Sequence, residues 1–178
     1  VKMLNKDLGE FILERLKNYL KENKIRNDII ESSVHKASID KLSKTFKKSL
    51  VLNKNIKKDL GLNVIAIYKR CSNIINSEIN KKVEINSSPD PGLFKNEYEK
   101  KLYKKVNDIR KYFSSAGREE NYLESLETLS NAKLEVDSFF DNVVVNDDDP
   151  IIKKNRLELL KMLCNSFENY FNFSKIES

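Results

Sequence analysis

With 178 residues, the chain is long enough to bury one sizeable hydrophobic core without disulfides or a structural metal. Its composition, 39% hydrophobic and 34% charged, excludes a wholly disordered chain, and two distant cysteines with one histidine exclude a disulfide framework or a zinc cluster. The net charge of +6 admits a nucleic acid as partner. It does not identify one, because Lys, Asn and Ile are enriched together, as an AT-rich genome would produce.

The sequence has no apolar run of about 18 residues and no charged, then apolar, then small-residue leader at its start. We therefore expect a cytoplasmic protein without a membrane partner. Cys71 and Cys164 are expected to be buried, reduced thiols. His35 is expected to be a solvated side chain rather than a base or a metal ligand.

The first half of the chain predicts four helices. Apolar residues recur at helical spacing from Leu4 to about Glu22, and a brief second helix is predicted over 28–34. A third helix is predicted after an N-cap at Ser38. Its apolar face would comprise Ile39, Leu42, Phe46 and Leu50. The longest is predicted from about Lys57 to Ser77, with Gly61 weakening its first turn.

The strongest break in the pattern is Asn-Ser-Ser-Pro-Asp-Pro-Gly at 86–92. We place a linker at 86–95, between an N-terminal half at 1–85 and a C-terminal half at 96–178. The two halves are expected to pack together as a single domain.

The second half also predicts helices only. Asn96 can cap a helix that ends between Ser114 and Gly117, and two further helices are predicted to meet near Asn131. The apolar positions of the three are Tyr98, Leu102, Val106, Ile109, Phe113, Tyr122, Leu126, Leu129, Leu134, Val136, Phe139, Phe140 and Val143. Val143–Val145 would have no partner strand, so we do not predict a strand there. The fold class is therefore all-α, a helical bundle of two packed halves.

Three consecutive aspartates, Asp147–Asp149, precede Pro150 and the last predicted helix. They are interpreted as an acidic helix start with Pro at the first helical position. A calcium loop would need alternating ligands, a central Gly and a terminal Glu, which do not follow. The four glycines are isolated from one another, so the sequence offers no phosphate-binding loop either.

The last third of the chain carries a distinctive series of motifs: Val136–Val145, then Asp148-Asp149, then Ile152–Leu160. In order and without a gap, they resemble the C-terminal signature of the bacterial glycyl-tRNA synthetase β subunit. Earlier segments resemble other landmarks of that family in the same order. These segments are Phe11–Leu20, Lys69–Ile75, and Leu93-Phe94 followed by Glu99 and Leu102-Tyr103.

The resemblance implies an all-helical anticodon-binding domain of the DALR type, which is named for an Asp-Ala-Leu-Arg signature and also found in arginyl-tRNA synthetase. This chain keeps the tetrad poorly, since Pro150 and Ile151 depart from it while Ile152 and Lys153 are conservative changes. The implied partners are glycine tRNA, the remainder of the β subunit and the α subunit. ATP and Mg²⁺ would be used by the whole synthetase, whereas this segment would hold no cofactor and be inactive alone.

Two clusters of basic and amide side chains are candidates for contacting RNA. The first comprises Lys69, Arg70 and Asn73, within about one turn of one predicted helix. The second comprises Lys153, Lys154, Asn155 and Arg156 in the first turns of the last helix. Lys and Arg can hold phosphates, while an Asn amide can both donate to and accept from a base edge. Candidate stacking partners are Tyr19, Tyr68 and Tyr112.

Each cluster also has a structural interpretation. Arg70 can form a salt bridge within the protein while Lys69 stays in solvent, and Arg156 can pair with Asp137 and Asp141. Two other functional classes stay open. One is a helical protein-interaction module, which would bind no tRNA at physiological salt, and the other is an enzyme with a site built from carboxylates.

Overall fold

The computed structural model describes residues 2–34, 42–86, 88–115, 121–168 and 170–177, with side chains described from residue 8 onward. Regular structure in these ranges is helical, so the predicted all-α class is confirmed. The helices are α1 (Lys2–Glu22), α2 (Asn27–Val34), α3 (Leu42–Asn55), α4 (Asp59–Asn80), α5 (Glu97–Ser114), α6 (Tyr122–Ser130), α7 (Lys133–Asn142) and α8 (Pro150–Glu168). Short 3₁₀ turns lie at Pro91–Leu93 and Phe173–Lys175.

Two helices begin as their sequences predict. Asn96 caps α5, because its Oδ1 accepts hydrogen bonds from the backbone nitrogens of Tyr98 and Glu99 at 3.0 and 3.1 Å. Glu99 Oε2 accepts in return from the backbone nitrogen of Asn96 at 3.0 Å, which completes a capping box. At the start of α8, Asp149 Oδ1 accepts from the backbone nitrogen of Ile151 at 2.9 Å. The acidic start predicted for the last helix is confirmed.

Helix α4 lies at the centre of the bundle and packs against α3, α6, α7 and α8. Its buried apolar side chains are Val64, Ile65, Ile67, Tyr68, Cys71 and Ile75. Buried side chains from both sides of the linker at 86–95 belong to the same hydrophobic core. A boundary between two halves at that linker stays a prediction.

Gly61 makes possible the close approach between the start of α4 and the end of α3. A Cβ atom at this position would lie 2.4 Å from the carbonyl oxygen of Asn55 and 2.6 Å from Cα of Ile56. Both atoms belong to the backbone and cannot move aside cheaply. The sequence interpretation of Gly61 as a weak point in α4 therefore missed its role, since the residue is required by the turn from α3 into α4.

The apolar face predicted for the third helix is partly wrong. Ser38 and Ile39 lie outside the described residues, and Leu50 is exposed. The buried positions of α3 are Thr45, Ser49, Leu52 and Asn55. Ser49 can be buried because its Oγ donates to the carbonyl oxygen of Thr45 at 2.8 Å. Helical periodicity was assigned from apolar residues, so the predicted buried face differs by about one position from the observed one.

Helix α7 shows a similar correction. Leu134 was predicted in the core but is 74% exposed, because Val136 and Phe139 are the residues that face inward. The backbone nitrogen of Val143 donates to the carbonyl oxygen of Phe139 at 2.8 Å and closes the helix. As predicted, Val143–Val145 forms no strand. None of the described helices is both long and apolar enough to span a bilayer.

Candidate nucleic-acid interface

The first candidate cluster lies on the outer side of α4. Asn73 is exposed, Arg70 has 47% of its side-chain surface exposed, and Lys69 is half-buried with a partner inside the protein. The periodicity of α4 places Lys69 and Asn73 on one face and turns Arg70 toward α7. The cluster therefore presents an amide and part of a guanidinium to solvent.

Arg70 has two contacts with α7. Its Nη1 lies 3.6 Å from Asp137 Oδ1, and its guanidinium carbon lies 4.1 Å from the centre of the Phe140 ring. The ion pair is half-exposed and therefore weak, but the stacking on Phe140 fixes where the guanidinium points. The salt bridge considered for Arg70 is thus present, and it leaves part of the guanidinium in solvent.

The second cluster divides into two buried and two more exposed residues. Arg156 is 6% exposed, its Nε donates to Glu99 Oε1 at 2.7 Å, and its Nη1 donates to Asp147 Oδ2 at 2.5 Å and to the carbonyl oxygen of Val144 at 2.8 Å. Glu99 itself is fully buried. Burial on its own would lower the pKa of Arg156, but the bonds to Glu99 and Asp147 outweigh it and raise that pKa.

Asn155 is also buried, and it ties the linker to α8. Its Oδ1 accepts from the backbone nitrogen of Asp90 at 2.7 Å, and its Nδ2 donates to the carbonyl oxygen of Asp90 at 3.0 Å. A nucleic-acid contact by Asn155 or Arg156 is not supported by these positions, because both are buried and both amide atoms of Asn155, and Nε and Nη1 of Arg156, already serve protein contacts. The physical reason is that α8 turns this part of its first two turns toward α5 and the linker.

The ion pairs predicted for Arg156 are wrong in their partners. Asp137 instead contacts Arg70 and Lys133, while Glu99 and Asp147 hold Arg156. Glu99 approaches because the capping box at the start of α5 points its other carboxylate oxygen toward α8. The pairing of Arg156 with Glu99 is therefore determined by the packing of α8 against α5 and not by the periodicity of either helix.

Lys153 and Lys154 are the accessible part of the second cluster. Lys153 Nζ lies 2.7 Å from Glu78 Oε2, and Lys154 Nζ lies 4.0 Å from Glu158 Oε1. Hydrogen bonds from Lys153 and then Lys81 lower the pKa of Glu78, whose side chain is 3% exposed. Lys153 therefore has a structural task, while Lys154 is the more exposed of the two.

Of the three tyrosines considered for base stacking, only Tyr19 is exposed. Its ring centre lies 5.4 Å from that of Phe46. Tyr68 and Tyr112 are buried, and the Tyr68 hydroxyl donates to Glu168 Oε1 at 2.9 Å. Burial and that bond raise the pKa of Tyr68. Tyr68 and Tyr112 offer no free ring face to a base.

Next to Asn73, α4 also borders a large cleft that the sequence did not reveal. Its volume is about 870 Å³, and Ser72 and Asn76 of α4 are among the residues that line it. Basic side chains reach it from three other helices: Lys44 and Lys48 from α3, Arg110 from α5 and Lys161 from α8. No local motif joins these residues, because they come from three helices that are distant in sequence.

The two cysteines lie in the hydrophobic core. Cys71 and Cys164 are buried and unbridged, as predicted, and a hydrogen bond between the two thiols together with burial raises the pKa of Cys71. His35 lies outside the described residues. Across the described ranges, no three His, Cys, Asp or Glu side chains are grouped as a metal site requires.

The chain is similar along nearly its whole length to glycine–tRNA ligase β subunits. It is 27% identical to the protein from Cereibacter sphaeroides over 97% of this chain, and 30% identical to that from Persephonella marina over 96%. Identity to the protein from Rickettsia typhi is 36% over 66% of this chain. The matched regions are 25%, 23% and 17% of those relatives, so the chain spans a quarter of their length or less.

A family model described as the DALR anticodon binding domain matches residues 64–178, which extend from the first turns of α4 to the C-terminus. The match includes most of α4 with Lys69, Arg70 and Asn73, and all of α5 to α8. Because it covers more than half of the chain, this protein belongs to the DALR anticodon-binding domain family.

Proposed function

We propose that this chain is the anticodon-binding domain of a glycyl-tRNA synthetase β subunit and that it recognises glycine tRNA during ATP-dependent aminoacylation. The observation that carries the proposal is the DALR family match over α4 to α8, joined to similarity with glycine–tRNA ligase β subunits along 97% of the chain. Its further partners are the remainder of the β subunit and the α subunit, in the cytoplasm.

The exposed face of α4 is the proposed tRNA-contacting surface. An anticodon loop offers phosphates and splayed bases, which proteins bind with cationic side chains and with groups that match a base edge. Arg70 is assigned to a phosphate, because Phe140 and Asp137 hold its guanidinium at the surface. Asn73 is assigned to a base edge, because its amide is exposed beside the cleft. Lys154 extends the basic surface near the start of α8.

The test is tRNA binding by single variants at several salt concentrations. Arg70→Ala should weaken binding to any tRNA and reduce the magnitude of the log-salt slope by about 1, as expected when one phosphate contact is lost. Arg15→Ala is the matched control, because Arg15 also stacks on an aromatic ring, that of Phe11, but lies on α1.

Asn73→Ala tests base readout. It should cost about 1 to 3 kcal/mol with glycine tRNA and little with a tRNA whose anticodon bases are changed. Asn18→Ala, at an exposed position within α1, is its control. Melting temperatures must accompany both measurements so that lost structure is not mistaken for lost contacts. If the folded wild-type chain bound no tRNA even at low salt, the alternative of a protein-interaction module would be favoured.

The chain is further proposed to contribute recognition and no chemistry. The sequence contains neither a phosphate-binding loop nor the His-Ile-Gly-His and Lys-Met-Ser-Lys-Ser signatures of synthetases. Glycine-dependent pyrophosphate exchange by the isolated chain should therefore be undetectable, and its appearance in a pure preparation would overturn this part of the proposal.

A further inference from the structure

The cleft beside α4 has the charge and size of a nucleotide site. Its 870 Å³ lie within the range of about 300 to 1,000 Å³ typical of small-ligand sites. Four basic side chains line it, Lys44, Lys48, Arg110 and Lys161, against one carboxylate, Glu168. That carboxylate already accepts the Tyr68 hydroxyl. The cleft is therefore strongly positive, and an anion is the ligand that its charge favours.

Two of the four cations are available for such an anion. Arg110 is exposed and Lys161 is half-buried, and within the described ranges neither has a carboxylate at ion-pair distance. Lys48 differs, because its Nζ donates to the carbonyl oxygen of Tyr170 at 2.6 Å. Arg110 and Lys161 stand on α5 and α8, two helices that pack against each other, and both side chains line the same cleft.

A buried hydroxyl on α2 gives an independent indication of a ligand. Ser32 is 3% exposed and lines the cleft, and its Oγ has no hydrogen-bond partner among the residues that the structure describes. Two other buried helical serines are satisfied by their own helix. Ser49 Oγ donates to the carbonyl oxygen of Thr45 at 2.8 Å, and Ser166 Oγ donates to that of Met162 at 3.0 Å. A buried hydroxyl left unsatisfied is unfavourable unless something else bonds to it.

We infer that this cleft takes one splayed nucleotide of a single-stranded RNA loop, with its flanking phosphates at Arg110 and Lys161 and its base bonded to Ser32 Oγ. The inference rests on the proposed function, since it makes the cleft the continuation of the tRNA-contacting face of α4. Ser72 and Asn76 line the cleft one turn or less from Asn73, so a loop bound at Asn73 reaches the cleft without crossing a gap in the protein surface.

The first experiment measures binding of the full chain to a glycine-tRNA anticodon stem-loop across a salt series. Arg110→Ala and Lys161→Ala should each weaken binding and each reduce the magnitude of the log-salt slope by about 1. Lys100→Ala removes the same charge from an exposed position on α5 that does not line the cleft, and it should leave the slope nearly unchanged.

The second experiment uses Ser32→Ala, because the two roles of a hydroxyl predict opposite results. Because Ser32 Oγ has no partner among the described residues, its removal should leave the melting temperature equal or higher. Binding should nevertheless weaken about 2- to 10-fold, the equivalent of one net hydrogen bond. Ser49→Ala removes a hydroxyl that is already satisfied inside α3 and serves as the control.

The nucleotide in the cleft can then be identified. When each loop position of the stem-loop is made abasic in turn, the difference between wild type and Ser32→Ala should disappear at one position only. If the wild-type chain binds the stem-loop and Arg110, Lys161 and Ser32 variants bind it equally well, the cleft is not the nucleotide site and the proposed function still stands. If the wild type does not bind, the proposed function fails as well.

Discussion

The two clusters of Lys, Arg and Asn in this chain have nearly the same composition, but their Arg and Asn side chains differ in exposure to solvent. On α4, Asn73 is exposed and Arg70 is half-exposed, whereas on α8 Asn155 and Arg156 are buried. The difference comes from what surrounds each cluster. A buried carboxylate, Glu99, faces Arg156, whereas Arg70 faces the half-exposed carboxylate of Asp137 and the ring of Phe140. A basic motif that faces a buried acid, as Arg156 faces Glu99, therefore has a structural role in the protein core.

The largest expected effect on stability comes from replacing Arg156. Arg156→Ala would leave the fully buried Glu99 carboxylate without its partner, and it should lower the free energy of unfolding by about 3 to 5 kcal/mol. Urea denaturation at low temperature, with the conservative Arg156→Lys beside it, measures the loss. A loss of less than about 1 kcal/mol would break the comparison, since Arg156 would then behave like a surface residue.

The second-largest effect on stability is expected from replacing Asn155. Asn155→Ala removes both hydrogen bonds to the backbone of Asp90 and frees the linker from α8, at a cost of about 1 to 2 kcal/mol. The same denaturation experiment measures it, and faster proteolysis within 86–95 should accompany it. An unchanged cleavage rate in this linker would mean that other contacts hold it in place.

Lys153 gives a pH-dependent effect. Hydrogen bonds from Lys153 and Lys81 lower the pKa of Glu78, so the stability that this carboxylate contributes is present above its unfolded pKa and lost as pH falls through its folded pKa. Lys153→Ala should therefore cost about 1 kcal/mol at pH 7, and its deficit against wild type should shrink below about pH 4.

The control for this pH series is Lys154→Ala, because Lys154 is 49% exposed and lies 4.0 Å from its carboxylate. The free energy of unfolding of Lys154→Ala should stay within about 0.5 kcal/mol of wild type at every pH. A deficit of Lys153→Ala that stayed constant down to pH 3 would show that Glu78 does not titrate as its contacts imply.

The smallest stability effect is expected at Arg70. Arg70→Ala breaks a half-exposed ion pair at 3.6 Å and one cation–π contact, and should cost no more than about 1 kcal/mol. Thermal melting checks this value beside the tRNA measurement. If Arg70→Ala destabilised the fold as much as Arg156→Ala, the two clusters would share a structural role.

Local signals in the sequence predicted most of the fold. Helical periodicity placed the helices within a few residues, and the caps at Asn96 and Asp149 followed from residue type alone. Periodicity failed where small or polar side chains are buried, as at Ser49, and where an apolar residue lies outside, as at Leu134. In both places, packing against another helix decides the burial.

The candidate site was less predictable, because its partners are distant in sequence. Glu99 lies 57 residues before Arg156, and no pattern on either helix announces their contact. The cleft is harder still, since Ser32, Arg110 and Lys161 come from three helices and meet only after folding. The sequence pointed to the neighbouring face of α4 through the cluster of Lys69, Arg70 and Asn73 and through the family motif that contains it.

The central position of α4 has a consequence for synthesis on the ribosome. The hydrogen bond between Tyr68 and Glu168 joins residues 100 positions apart, and α8 is the last α-helix in the described chain to be made. Ribosomes add about 5 to 20 residues per second, so roughly 5 to 20 s pass between the synthesis of Tyr68 in α4 and that of Glu168 in α8. During that time the apolar side of α4 toward α8 is uncovered, so the nascent chain carries a surface of the kind that chaperones bind.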